Sequence, residues 1–359
     1  MNKNELKLLK NISEIDGVSG HEKEIREFIK NEFLNVVSEE NISYDRLGSI
    51  IAKKEGLSDG PKILITGHMD EIGMIVTKIT DEGFIKFQTI GGWWSQVMSS
   101  QKYTITTTKG KKVRAVIGSL PPHILQKEQL AKPVDVKDMF MDIGVKNREE
   151  AEKLGIKIGD SITPYTTFEQ MGNKNYLLGK AWDDRIGCAI AIDVLKELKE
   201  VKHPNIVYAA GTVQEEVGCR GAKTVAQIVN PDISIALDTG IAFDVPGTDG
   251  HVKIGDGPVM LVYDGGLIGH LALREKMMEI ADELKIPYQL DHLQRGGTDA
   301  SQMHLVHDGA PSMSFIVATR YIHGHTSVIH YDDYKNAVKI IVELIKRLDK
   351  DTVNKITFD

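Results

Sequence analysis

The sequence predicts an α/β fold: a mixed, mostly parallel sheet with helices on both faces, carrying an inserted small β-barrel. Two observations predict it. Apolar runs with no polar face, such as IVYAAGT at 206–212 and SMSFIV at 312–317, alternate with amphipathic helical stretches, as expected for strands covered on both sides. Between about Ile72 and Ile162 that texture gives way to short strand-like runs divided by turn signals, which suggests a small barrel or sandwich. The expected division is a discontinuous α/β domain, 1–70 and 164–359, around an insert at 71–163.

Each element has a local reason. Residues 4–13 and 22–37 read as helices, the second with Ile25, Phe28, Ile29 and Phe33 at helical spacing and Ser19 as its expected N-cap. Residues 49–53 and 62–66 are β-branched runs, hence strands. In the insert, IGMIVTKI, FIKFQTI, YTITTT, KVRAVIG and SITPY read as strands, and Asn147 should cap a short helix at 147–154. After Tyr176 the order is helix 185–199, strand 206–212, helix 219–229, strand 233–237, helix 269–285, strand 312–317 and helix 332–349.

Composition narrows the function. The 359 residues are 41% hydrophobic and 26% charged, with a formal net charge of −7. That balance suits a soluble protein, and no basic block suggests nucleic acid or an acidic membrane as a partner. No apolar run approaches the ~18 residues of a membrane span. The charged N-terminus MNKNELKLLK lacks a secretory h-region, so a cytoplasmic location is expected. Two cysteines, Cys188 and Cys219, are too few for a disulfide framework and read as small buried residues.

Five stretches carry chemistry: GHMDEIG at 67–73, AWDDRIG at 181–187, AAGTVQEEVGCRG at 209–221, ALDTG at 236–240 and RYIHGH at 320–325. Each alone has a plain structural reading as a cap, a turn or a hydrogen-bonded histidine. All five, however, are expected at the carboxyl ends of strands, where open α/β sheets bind ligands. Acids gathered at one sheet edge repel one another unless cations neutralise them. Asp183, Glu216, Asp238 and a bridging hydroxide would together balance two dications, with neutral His68 and His323 completing the set. Such mixed ligation suits zinc, cobalt or manganese. Two metals ~3.5–4 Å apart would acidify a bridging water, leaving Glu215 free as general base. Asp70, close after His68, is placed to hold the His68 ring by its other nitrogen.

The motifs GHMDEIG, GKAWDDRIGC, TVQEEVGCRGA, ALDTG, GGTDA and RYIH, in this order, resemble the M42 family of metallo-aminopeptidases, and the resemblance spans nearly the whole chain. It implies a zinc-peptidase-like fold and hydrolysis of N-terminal residues from short peptides. It implies that Asp183 bridges two divalent metal ions, that His68 and Asp238 complete one site, and that Glu216 and His323 complete the other. Glu215 would be the general base and Asp70 would orient His68. The inserted domain would make dimer contacts, and dimers could assemble into a tetrahedral dodecamer.

Other readings stay open here. Some family members are called endoglucanases, but a glycosidase needs two carboxyl groups ~5–9.5 Å apart and no metal. A catalytically inactive oligomeric scaffold is the third reading. His325 reads as a loop or supporting group beside His323. Thr298 and Asp299 either lie near substrate or shape a turn, and Trp93 and Trp94 read as packing or subunit contacts. A pocket for acidic side chains needs a Lys or Arg at its base, and the sequence offers too many.

Overall fold

Residues 2–57 and 59–358 are described by the structure, a computed structural model. One sheet of nine strands forms the main body. Its centre is four parallel strands in spatial order Ile206–Thr212, Lys62–His68, Ile233–Ile241 and Ser312–Thr319. Antiparallel strands Ile50–Glu55 and Ile42–Tyr44 extend one edge, and Val259–Asp264 begins the other. Alternation along the central strands fills two separate cores. Ile63, Ile65, Ala209 and Ile235 face helices Trp182–Glu197 and Tyr331–Arg347, whereas Leu64, Ala210 and Ala236 face helix Arg220–Val229. The expected two-sided sheet is therefore present. Among the described residues no helix is long and apolar enough to cross a membrane.

The insert is a closed barrel of six strands, in order Gly73–Ile79, Ile85–Ile90, Met141–Asp142, Lys112–Ile117, Lys102–Thr106 and Ser161–Pro164. Closure removes the exposed edges that short antiparallel strands otherwise leave. Ile85, Tyr103, Ile105, Ile117, Met141 and Ile162 fill its own core. The Asn147 carboxamide oxygen accepts the Glu150 N–H at 3.0 Å and caps helix Arg148–Lys153 as expected.

Several elements differ from the sequence reading. Helix Lys23–Leu34 begins after Glu22 without a side-chain cap, and the Ser19 hydroxyl instead donates to Asp70 Oδ2 at 2.6 Å. A small sheet of Glu169–Gln170, Tyr176–Gly179 and Ser327–His330 covers the end of the main body. Its strands are short and partly polar, so their periodicity is weak. The last helix is followed by a second one, Lys350–Phe358.

The barrel is tied to the main body by an ion cluster that is buried at Lys180 and Glu71 and exposed at Lys112 and Glu24. Lys180, 2% exposed, pairs with Asp16 at 2.9 Å and Glu71 at 2.7 Å. Lys112 of the barrel reaches Asp16 at 2.8 Å and Glu24 at 2.8 Å, and the Thr163 hydroxyl donates to Asp16 at 2.8 Å. Burial raises the Asp16 carboxyl, but Lys180 and Lys112 outweigh it and hold the group well below its ordinary range. A depressed carboxyl contributes stability that is full above its unfolded value, 3.8, and is lost as pH falls through its lower folded value. Asp16→Asn should therefore lower the melting temperature at pH 7, and the gap from wild type should close as pH drops below about 4. Thermal unfolding followed by circular dichroism across pH checks this; a gap that persists in acid would contradict it.

Candidate metal centre

Close backbone packing builds the site. A Cβ at Gly67 would meet the Cys188 nitrogen at 2.3 Å, and one at Gly187 would meet the Leu237 carbonyl oxygen at 2.3 Å. Only glycine lets the start of helix Trp182–Glu197 press onto strand Lys62–His68 at its end and onto strand Ile233–Ile241 within its length. The contact brings Asp184 Oδ2 to 2.9 Å from the His68 N–H, while Asp184 Oδ1 accepts the Gly187 N–H at 2.9 Å. Fully buried Arg185 donates to the carbonyls of Met69, Ile12 and Ile15 at 2.7–2.8 Å and clamps the segment after His68.

Asp183 lies between two imidazoles. Its Oδ1 is 3.1 Å from His68 Nε2 and its Oδ2 is 3.1 Å from His323 Nε2. Each ring is oriented by its other nitrogen: His68 Nδ1 donates to the Asp70 carbonyl at 2.9 Å, and His323 Nδ1 donates to the Gly92 carbonyl at 2.9 Å. Both Nε2 atoms thus face the acids. Glu216 Oε1 is 3.6 Å from His323 Nε2, and Glu215 Oε2 is 3.8 Å from His68 Nε2. Donor atoms of His68, Asp184 and Asp238 lie within 4.8 Å of one another, as do those of His68, Asp183 and Glu216.

The structure therefore brings together every sequence-predicted residue, with two refinements. Asp70 holds the His68 ring chiefly through its main-chain carbonyl, since its carboxylate stays 3.5 Å away. That carboxylate is turned to the N–H groups of Glu215 (3.0 Å) and Glu216 (3.2 Å), and strand Lys62–His68 has already ended there. Asp183 and Asp184 follow a strand of the small sheet, and Asp238 lies inside its strand rather than at the end. The sequence reading missed Asp184, whose place in an Asp-Asp pair before a helix looked like a cap. His325 is not among the clustered donors; it is buried edge-on against Tyr103 of the barrel. Trp93 packs against the barrel core and donates to the Gly73 carbonyl at 3.0 Å, while Trp94 is exposed.

Electrostatics follow the geometry. Burial pushes Glu215 and Glu216 up to about 8, Glu216 also through the charge on Asp183. Burial raises Asp184 and Asp238 well above the usual carboxylate range, helped by the charges of Asp238 and Asp183 on Asp184 and of Asp183 and Glu215 on Asp238. Asp183 is partly exposed; burial works against its charge as well, but His323 and His68 hydrogen-bond to it and hold it low. Burial works against charge on His323, yet Asp183 carries it up to about 10. The donor set thus calls for positive charge at the two Nε2 positions. Glu216 Oε1 is buried with no hydrogen-bond partner among the described residues, as a cation ligand would be. The imidazoles, carboxylates and orphaned oxygen fit divalent cations. A cavity of about 490 Å³ opens over them, with His68, Asp183, Glu215, Glu216, Asp238 and His323 in its wall.

Backbone strain clusters here too. Ala181, Gln214, Cys219, Tyr321 and His323 all have positive φ, between 50° and 62°, in the three segments that carry Asp183, Asp184, Glu215, Glu216 and His323. Non-glycine residues in that region cost about 1–3 kcal/mol each, and such strain is concentrated at functional sites.

The sheet, the inserted barrel and this acid-rich cavity define the fold of an aminopeptidase. The M42 glutamyl aminopeptidase family model matches residues 48–340, and the chain belongs to that family. The TET aminopeptidase of the marine sediment archaeon Thaumarchaeota archaeon SCGC AB-539-E09 superposes with a TM-score of 0.95 at 41% identity, over 99% of this chain and 100% of that one. The TET1 peptidase of Pyrococcus horikoshii, which can assemble into a tetrahedron or a large octahedral shell, superposes at 0.86 with 33% identity over 96% and 100% of the two chains. The glutamyl aminopeptidase of Lactococcus lactis subsp. cremoris is 33% identical over 97% of this chain and 98% of its own.

Gly187→Ala should force the helix start off the strands, because the obstructing atom is main chain. The expected cost is about 1–3 kcal/mol or more of stability, together with weaker uptake of divalent cations. Calorimetry and elemental analysis of the dialysed protein check both, and an unchanged melting point and metal content would refute the packing argument.

Proposed function

We propose that this chain is a two-cation aminopeptidase that releases N-terminal residues from short peptides. His68 and Asp238 would hold one divalent cation, Glu216 and His323 the other, and Asp183 would lie between them. The carrying observation is Asp183 itself, with one oxygen 3.1 Å from each of two imidazole Nε2 atoms. Zinc suits the donors best, and cobalt or manganese also fit. Bound there, two dications would supply polarisation of the scissile carbonyl and acidification of a water. The chain's own residues do the rest. Asp70 fixes the His68 tautomer and the backbone of the Glu215–Glu216 loop. Glu215, in the cavity wall, accepts the proton of the attacking water and returns it to the leaving amine. A glycosidase finds no support in a carboxylate paired with two imidazoles.

Glu215→Gln should lower kcat by ~10²–10⁴ with the metal content unchanged. In wild type, EDTA should abolish release of amino acids from aminoacyl anilides, and added zinc or cobalt should restore it. Full activity in the Gln variant would remove Glu215 from this role.

Residue preference has a physical candidate. Arg295 is exposed in the cavity wall and makes no ion pair among the described residues. A guanidinium there favours an acidic side chain at the peptide N-terminus. Arg295→Ala should reduce kcat/KM for glutamyl relative to leucyl anilides by ~10-fold or more. An unchanged ratio would place the selectivity elsewhere.

Self-assembly is the expected quaternary state. Leu120, Ile124, Leu130 and Val134 are all exposed on one excursion of the barrel, which supports a subunit contact there. The two cysteines are free, in keeping with a reducing, cytoplasmic compartment.

A further inference from the structure

Cys219 occupies the same cavity wall, on the far side of Glu215 from His68. Its thiol donates to Glu215 Oε1 at 3.1 Å, while Glu215 Oε2 is the oxygen nearer His68. One donor atom from each of Glu215, Cys219 and Asp299 lies within 4.8 Å of the other two. Asp299 is 2% exposed. The Thr212 hydroxyl donates to its Oδ2, but Oδ1 is buried with no hydrogen-bond partner among the described residues. An orphaned carboxylate oxygen beside a thiol and a second carboxylate is costly unless something binds there.

We propose that Glu215, Cys219 and Asp299 form a further cation site, selective for thiophilic dications such as cadmium or excess zinc. It adjoins the two-cation centre and shares Glu215 with it. None of the residues proposed for that centre is a thiol, so sulfur distinguishes the two. Manganese and magnesium prefer oxygen donors, whereas zinc and cadmium accept thiolate. Binding exchanges one bond for another: the Sγ–H proton leaves to solvent as the sulfur–metal bond forms, with no change of oxidation state. The consequence rests on the aminopeptidase reading above. A cation held by Glu215 withdraws it from proton transfer, so activity should fall when thiophilic ions exceed what the centre takes up.

The test uses the full chain loaded with manganese and then titrated with cadmium chloride. Two readouts are independent of activity: bound cadmium per chain, and the ultraviolet charge-transfer band of a cadmium–thiolate bond. Wild type should show the band. Cys219→Ser, which keeps a hydroxyl donor for Glu215 and leaves Cys188 in place, should lose it. A second measurement needs no variant: cadmium should slow alkylation of Cys219, located by peptide mapping, and leave the rate at Cys188 unaltered. Absence of the band in wild type, an equal band in Cys219→Ser, or alkylation of Cys219 indifferent to cadmium would overturn the site. Cadmium binding with the band but undiminished peptidase activity would support the site and count against Glu215 as the base. Loss of activity in Glu215→Gln together with absence of the band in wild type would overturn the site and leave Glu215 as the base.

Discussion

Repulsion between buried acids is the constraint on which the rest of this structure depends. Asp183, Asp184, Glu215, Glu216, Asp238 and Asp299 crowd one sheet edge, where low dielectric strengthens every like-charge contact. The chain does not soften that repulsion by spreading the acids into solvent. It fixes them, with glycines at 67 and 187 that admit backbone to backbone, and with the Arg185 clamp on the Met69 carbonyl. The two large apolar cores on either side of the sheet hold the edge in place. Charge is then distributed unevenly: Asp183 is ionised between two imidazoles, while its neighbours are pushed upward. The charge that remains is what the proposed cations would neutralise.

The barrel belongs to this site as well as to any subunit contact. The Gly92 carbonyl sets the His323 tautomer, and a Cβ at Gly91 would come within 3.0 Å of Glu216 Oε2. Both glycines follow barrel strand Ile85–Ile90. The Lys112–Asp16–Lys180–Glu71 chain of charges fixes the barrel to the strand end that bears His68. Movement of the barrel against the sheet would therefore reach both the His323 ring and the Glu216 carboxylate.

Much of this was legible in the sequence, for identifiable reasons. Long apolar strands and helices of 3.6 periodicity were placed within a few residues, because burial on both faces leaves an unambiguous pattern. The acids and histidines stand out in the sequence because five such stretches, each with a plain structural reading alone, recur beside glycines after apolar runs. What escaped was whatever depends on three-dimensional aim. Ser19 had the composition of a cap, yet its hydroxyl serves Asp70. Asp184 looked like a dipole partner, although it holds the His68 N–H. The strands of the small sheet, two to four residues each, carry too little pattern to detect. Arg295 and Cys219 were visible as letters, but only folding puts a lone guanidinium and a thiol into the same cavity wall.

Asp70 shows how tightly local and global structure are coupled here. Its carbonyl fixes the His68 ring, and its carboxylate collects the Ser19 hydroxyl and the N–H groups of Glu215 and Glu216. One residue thus sets an imidazole tautomer on one strand and the backbone of the acid-bearing loop after the neighbouring strand. Those two strands are parallel and in register, Gly67 beside Gly211 and His68 beside Thr212, so the distance Asp70 must span is fixed by sheet geometry alone. The carboxylate is fully buried and stays ionised because His68, Ser19 and the loop amides together outweigh its desolvation. A change that neutralised it would loosen the loop that bears Glu215 and Glu216, while the ring, held by the main-chain carbonyl, would keep its tautomer; this acid, though absent from the cavity wall, thus controls the backbone of two groups that line it.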